Sequence, residues 1–285
     1  MEVFKAKAFT HHTNINGSPV LGNPASVVFC KQIMPSKEDM GKIALVEKTP
    51  MTAFVKQRND NHFDIEFYTP AGERFGLCGH ATLVAAYFIH QLYGYEKAFF
   101  YKPIAIGDSV IEVIESNKDG DIFKIDMPAY PPKLITELKT DWFIRIMGIN
   151  KYRAIYFCHE LNDIIIVLKD TLALRDAKPL YHELAVMLDV DNIRGIFLTA
   201  KSDAPNIDYE VRIFAPHLGI NEDISCGSAN CSLLPLWHQQ LNATNGHDFS
   251  ILCPYDAATG FLGGVEMGSY DPVKKRIYIG GRISG

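Results

Sequence analysis

The sequence is poor in the features that mark secreted, metal-binding or nucleic-acid-binding proteins. Its six cysteines, Cys30, Cys78, Cys158, Cys226, Cys231 and Cys253, are sparse for 285 residues and sit mostly in apolar segments. That usage fits a reduced, cytoplasmic chain rather than a disulfide framework. There is no CxxC pair and no HExxH segment, so the donor spacing of a zinc site is missing. Basic residues number 28 against 33 acidic ones, a net charge of −5. A surface of that sign does not neutralise a phosphate backbone, and nucleic acid is excluded as a partner. No apolar run approaches the ~20 residues that cross a bilayer. Residues Met1 to Phe9 alternate like a strand instead of forming a leader, so neither membrane association nor secretion is expected.

What is present is a large apolar fraction, 47% of residues, enough for a full core, and a length that suggests two domains at ~150 residues each. The chain also repeats itself. Ile65-Glu66-Phe67-Tyr68-Thr69-Pro70-Ala71 is an alternating strand ending in a proline turn, and Cys78-Gly79-His80-Ala81 follows it. Val211-Arg212-Ile213-Phe214-Ala215-Pro216-His217 does the same, followed by Cys226-Gly227-Ser228-Ala229. Pro70 and Pro216 stand 146 residues apart, Cys78 and Cys226 148 apart. A fixed offset of this kind is the mark of a duplicated unit.

After each Cys-Gly pair the sequence predicts a helix that is apolar nearly all round, over Ala81 to Ile89 and over Ala229 to Leu241, as suits a helix enclosed by sheet. Strands are predicted at Ser109–Ile114, Phe123–Met127, Asp163–Leu168 and Arg276–Ile279. Two amphipathic helices are predicted, one over Ser36 to Glu47 with Ser36 as its cap and one over Pro179 to Leu188. The break Pro128-Ala129-Tyr130-Pro131-Pro132 divides the chain. The expected fold class is α+β, with two similar domains, each a curved, mostly antiparallel, barrel-like sheet around a central helix. Residues 1–128 form the first, which the last strand, 276–285, is a candidate to rejoin, and 129–275 form the second. Glycine at each helix start allows close approach of a ligand, and a helix N-terminus offers free N–H groups and partial positive charge to a small carboxylate.

Leu77-Cys78-Gly79-His80-Ala81-Thr82-Leu83, Gly22-Asn23-Pro24-Ala25-Ser26-Val27-Val28, and Phe214-Ala215-Pro216 with Glu222-Asp223 and Gly227-Ser228-Ala229 resemble the PhzF-like (phenazine biosynthesis F) isomerases, whose fold is that of diaminopimelate epimerase. The motifs keep their order along essentially the whole chain. The resemblance implies a site in a cleft between two similar domains, no metal, no organic cofactor, a small-molecule carboxylate substrate and a homodimer. It makes Asn23, Gly79, His80, Ala81, Gly227, Ser228 and Ala229 the substrate-binding residues and Asp208 and His80 the catalytic polar groups. It also exposes a departure. The family's acid/base glutamate lies in a Ser-Glu-Thr-(Ala/Thr)-Phe-Val segment, and this chain reads Pro50-Met51-Thr52-Ala53-Phe54-Val55. Met51 cannot carry a proton. Glu47, four residues upstream, reads as a solvated helix residue that could substitute only after rearrangement.

Cofactor-free racemases take a proton from one face of a carbon and return one to the other. In diaminopimelate epimerase and proline racemase, cysteines in Cys-Gly-x motifs at two helix starts do this. Cys78-Gly79-His80 and Cys226-Gly227-Ser228 match that arrangement and become a candidate acid/base pair, because a helix N-terminus lowers a thiol pKa. Cys30, Cys158, Cys231 and Cys253 read as core. The leading expectation is a cofactor-independent isomerase or epimerase. The alternative is a non-catalytic descendant that binds a metabolite or a protein.

Overall fold

The structure is a computed structural model and describes residues 1–15, 17–103, 111–136, 141–254 and 262–285. The chain divides into two compact units: Met1–His11 with Gly22–Met127 and Tyr278–Gly285, and His12–Leu21 with Pro128–Ile277. The excursion of residues 12–21 into the second unit carries no sequence signal. It is held there by backbone bonds that Leu21 and Pro19 exchange with Leu262.

In the first unit eight strands close into a ring. Glu2–Thr10 pairs with Asn23–Phe29, which pairs in parallel with Met51–Asn59, then antiparallel with His62–Tyr68. That strand runs parallel to Lys97–Pro103, followed antiparallel by Ile111–Asp119 and Ile122–Pro128. Arg276–Ser284 pairs with both Ile122–Pro128 and Glu2–Thr10 and closes the barrel, so no edge is left open. Gly280 makes the closure possible, since a Cβ there would lie 1.9 Å from the carbonyl oxygen of Phe123. Of the expected Ser109–Ile114 strand, residues 109 and 110 lie outside the described residues.

The second unit repeats the pairing pattern. Tyr152–Cys158 lies antiparallel to Asp163–Leu168, which is parallel to Gly195–Lys201, antiparallel to Tyr209–Ala215, parallel to Phe249–Pro254 and antiparallel to Leu262–Asp271. Even the two-residue strand Arg74–Phe75 has a counterpart in Ile220–Asp223, each added to the strand that ends in the proline turn. The repeated sequence motif is therefore a repeated topology.

Each parallel pair needs a crossover. In the first unit these are Lys37–Glu47, capped by Ser36 as expected, and Gly79–Tyr93. In the second they are Thr171–Asp176 with Tyr181–Val190, and Asn230–Gln240. Gly79–Tyr93 buries Gly79 through Ala86 without a break, and Asn230–Gln240 buries Asn230 through Trp237. The remaining crossovers cover the opposite sheet faces. Met40 and Ala44 pack on Val28, Phe54 and Tyr68, and Leu174, Leu184 and Leu188 pack on Ile164, Ile166, Leu198 and Phe214. Asp141–Met147 and Thr171–Asp176 were not foreseen, being too short for a helical period to register.

Candidate active site

In the first unit the polar groups gather where the central helix begins. Gly22 takes φ +70°, and a side chain there would meet the Ala8 carbonyl and Thr10, so the turn before Asn23 depends on glycine. Asn23 opens its strand fully buried. Its Nδ2 lies 3.4 Å from His80 Nδ1, and Cys78 Sγ lies 3.3 Å from the same nitrogen. A ring nitrogen of His80 also donates to the Pro24 carbonyl. Burial pushes the imidazolium down to about 3, only partly offset by that carbonyl, so at neutral pH His80 is a neutral imidazole beside Cys78 Sγ. Thr82 Oγ1 and its N–H both donate to the Cys78 carbonyl and lock the first turn, which carries Gly79 and Ala81.

The register places Met51. Ala25 and Met51 are lateral partners in a parallel pair, and successive side chains alternate between faces. Phe54 packs under the Lys37–Glu47 helix, so Met51, three residues earlier, points to the face of Asn23, Ala25 and the central helix. It is buried there. Glu47 lies on the other face. Its carboxylate accepts from Ser26 Oγ at 3.2 Å and pairs with Lys5 at 2.9 Å, with 15% of the side chain exposed. The solvated reading of Glu47 is thus corrected: the side chain is held, and the sheet separates it from Met51.

In the second unit Cys226 and Ser228 sit on a one-turn 3-10 helix, Gly227–Ala229, that leads into the Asn230–Gln240 helix. Cys226 Sγ is 3.4 Å from Ser228 Oγ, which accepts from Arg194 Nη1 at 3.1 Å. Arg194 grips the fully buried Asp163 through Nε at 2.7 Å and Nη2 at 2.5 Å. Such a fork-to-fork pair fixes orientation as well as charge. The expectation that a helix start lowers the Cys226 pKa does not hold. Burial, reinforced by the Asp223 carboxylate, pushes it up to about 12 against the pull of Arg194 and Ser228. Cys226 is a thiol at neutral pH. Desolvation by burial is the largest of these effects, because removing water penalises the thiolate.

Asp208 is otherwise engaged. Its Oδ2 accepts from the Ser250 N–H at 2.8 Å and its Oδ1 meets His247 Nε2 at 3.1 Å. Tyr209, the next residue and the first of its strand, stacks on Trp237 of the central helix. The carboxylates that bear on Cys226 are Asp223 and, less strongly, Glu266. Sequence reading also passed over Arg194, Asp163 and Glu266. The last two could have been flagged as charges inside otherwise apolar strand segments, Asp163-Ile164-Ile165-Ile166 and Val265-Glu266-Met267. The four cysteines read as core, Cys30, Cys158, Cys231 and Cys253, are buried; of the candidate pair, Cys78 is buried and Cys226 partly exposed.

No helix among the described residues is long and apolar enough to cross a membrane. Comparison with known proteins gives the family. The profile described as phenazine biosynthesis-like protein, PhzC-PhzF, matches residues 7–282. An uncharacterized isomerase of Halalkalibacterium halodurans is 29% identical over 78% of each chain. The crystal structure of a phenazine biosynthesis protein of the PhzF family from Enterococcus faecalis superposes with a TM-score of 0.79 at 26% identity, covering 99% of this chain and 95% of that one. A structure described as a probable proline racemase from Agrobacterium radiobacter shares the fold alone, with a TM-score of 0.59 at 11% identity, 99% of this chain and 90% of that one being covered. With its duplicated barrel-and-helix topology and a family match from the first strand into the last, the chain belongs to the PhzF-like, phenazine biosynthesis-like proteins.

Proposed function

We propose that the chain is a cofactor-independent isomerase or epimerase that shifts a proton on a small carboxylate-bearing metabolite. The observation that carries the reading is the Cys-Gly turn at the start of the central helix in each unit, with Cys78 Sγ 3.3 Å from the neutral His80 in the first and Cys226 a thiol in the second. Support also comes from relatives named as isomerases.

In this reading Cys78 Sγ takes the proton from the substrate carbon while its own proton passes to Nδ1 of the neutral His80, 3.3 Å away. Cys226, held as a thiol, returns a proton to carbon, so the number of protons on the substrate is unchanged. An anionic substrate beside His80 excludes water and raises the affinity of the ring for that proton. Backbone N–H groups at Gly79–Ala81 and Gly227–Ala229 seat the carboxylate and stabilise the enolate-like charge. Asn23 orients His80, Ser228 orients Cys226, and Asp208 serves the strand end rather than the carbon.

Exchange of a substrate C–H for solvent deuterium, followed by NMR over a panel of small carboxylates, tests this. The expectation is exchange in the native chain and its loss in Cys78→Ser and in Cys226→Ser. Full exchange in both variants would reject the two-thiol mechanism.

One observation favours a second reading, a metabolite- or protein-binding descendant: the apolar Met51 faces the His80 side of the first unit. Met51→Glu separates the two. If that change creates isomerisation of a dihydro-hydroxyanthranilate-type compound on a native background of none, the protein is a binder on an intact scaffold. Native turnover of such a compound eliminates the binder.

A further inference from the structure

Glu266 is a buried ionisable group for which the proposed reaction has no use. It is fully buried on the Leu262–Asp271 strand, and its hydrogen-bond partners are uncharged. Ser225 Oγ donates to Oε1 at 2.5 Å, Asn230 Nδ2 donates to Oε2, and Cys253 Sγ approaches Oε1 at 3.8 Å. Ser225 immediately precedes Cys226, and Asn230 is the first residue of the helix that follows Ala229. One carboxylate therefore spans the four-residue turn that carries Cys226, Gly227, Ser228 and Ala229. Asn230 is itself fixed from the other side, since its Oδ1 accepts from Tyr209 Oη at 2.6 Å.

We propose that Glu266 is a positioning residue whose carboxylate holds the Cys226–Ala229 turn from both ends, and that the turn loosens when this carboxylate takes a proton. An ionised carboxylate accepts from all three donors at once, whereas a protonated one must donate from one oxygen. Asn230 Nδ2 can only donate, so a proton on Oε2 sets N–H against O–H and breaks that contact. A proton on Oε1 obliges Ser225 to reverse its hydroxyl. The charged and titratable neighbours make the change accessible. Burial pushes Glu266 up to about 7, and Asp223 at the end of the Ile220–Asp223 strand adds to the rise, while Ser225, Asn230 and Cys253 oppose it. Cys226 on the turn, Cys253 on the adjacent strand and Tyr209 on the Tyr209–Ala215 strand all feel the same carboxylate, and each is kept protonated at neutral pH. Arg194 acts on the turn through Ser228.

The functional meaning rests on the isomerase reading, which gives the turn its work, but the test needs no substrate. The full chain is alkylated with iodoacetamide across about pH 5.5 to 9, and modification of Cys226, which is partly exposed, is quantified by peptide mass mapping. After division by the ordinary tenfold rise of thiolate per pH unit, the rate should fall about tenfold as the pH rises through about 7, the change that one pKa unit at the thiol produces. Glu266→Gln should abolish the step. Ser225→Ala, which removes a donor to the charged form and leaves the acid in place, should move the step to higher pH and serves if Glu266→Gln does not fold. A step that persists in Glu266→Gln, a step unmoved in Ser225→Ala, or no step in the native chain overturns the proposal. None of these outcomes bears on deuterium exchange, so the clamp and the isomerase reading fail separately.

Discussion

Acid should weaken the first unit through His80, by an amount that follows from burial. The ring is 5% exposed and titrates at about 3 in the folded chain against an ordinary 6.5. Below about pH 6.5 the unfolded chain binds a proton that the folded chain refuses, so stability is complete above that value and declines as the pH falls towards 3. At pH 4.5 the linkage cost is about 2.7 kcal/mol, from two pH units below the unfolded value with almost no protonation of the folded form. Glu266 works in the opposite sense. Its folded carboxyl keeps a proton up to about 7 where the unfolded one loses it near 4.5. It therefore removes stability as the pH rises through that window, by about 3 kcal/mol over the same interval. The two slopes oppose each other, so the native profile mixes them. The informative quantity is the gap between the native chain and His80→Asn, measured by urea unfolding at about pH 7.5 and again at about pH 4.5. On acidification the gap should move in favour of the variant by about 2.7 kcal/mol. A gap that stays constant within about 0.5 kcal/mol would refute the reasoning, because it would mean that folded His80 accepts its proton at an ordinary pH.

Three further outcomes follow from the packing. Arg194→Met leaves the fully buried Asp163 without its partner and should cost about 3–5 kcal/mol in chemical denaturation, with part of the loss recovered by adding Asp163→Asn. A loss below about 1 kcal/mol would show that the pair is solvated. Gly280→Ala forces a Cβ to within 1.9 Å of the Phe123 carbonyl across the strand pair that closes the first barrel. The expected result is a sharply lowered melting temperature or insoluble protein, and an unchanged melting temperature would contradict the closure. Ser36→Ala removes the side chain that accepts from the Asp39 N–H at 3.1 Å, and should cost about 1 kcal/mol; urea unfolding that shows no loss would mean that water replaces the cap.

The sequence alone determined the duplication, because a repeated strand, proline turn and Cys-Gly helix start are local patterns whose 146- and 148-residue offsets survive without any knowledge of contacts. It likewise determined the buried central helices, apolar on every side, and the cap at Ser36, since these depend on residues near one another in the chain. Tertiary structure alone decided which face each side chain serves. Met51 and Glu47 are four residues apart, yet strand register sends one towards His80 and helix packing ties the other to Ser26 across the sheet. Only the fold joined Asp163, Arg194 and Ser228, and only the fold brought Glu266 to the ends of a turn some 40 residues earlier. The protonation of Cys226 was decided there too. A motif supplies a thiol at a helix start, but the energy of its charged form depends on the water removed and the carboxylate brought near, and both come from residues distant in sequence.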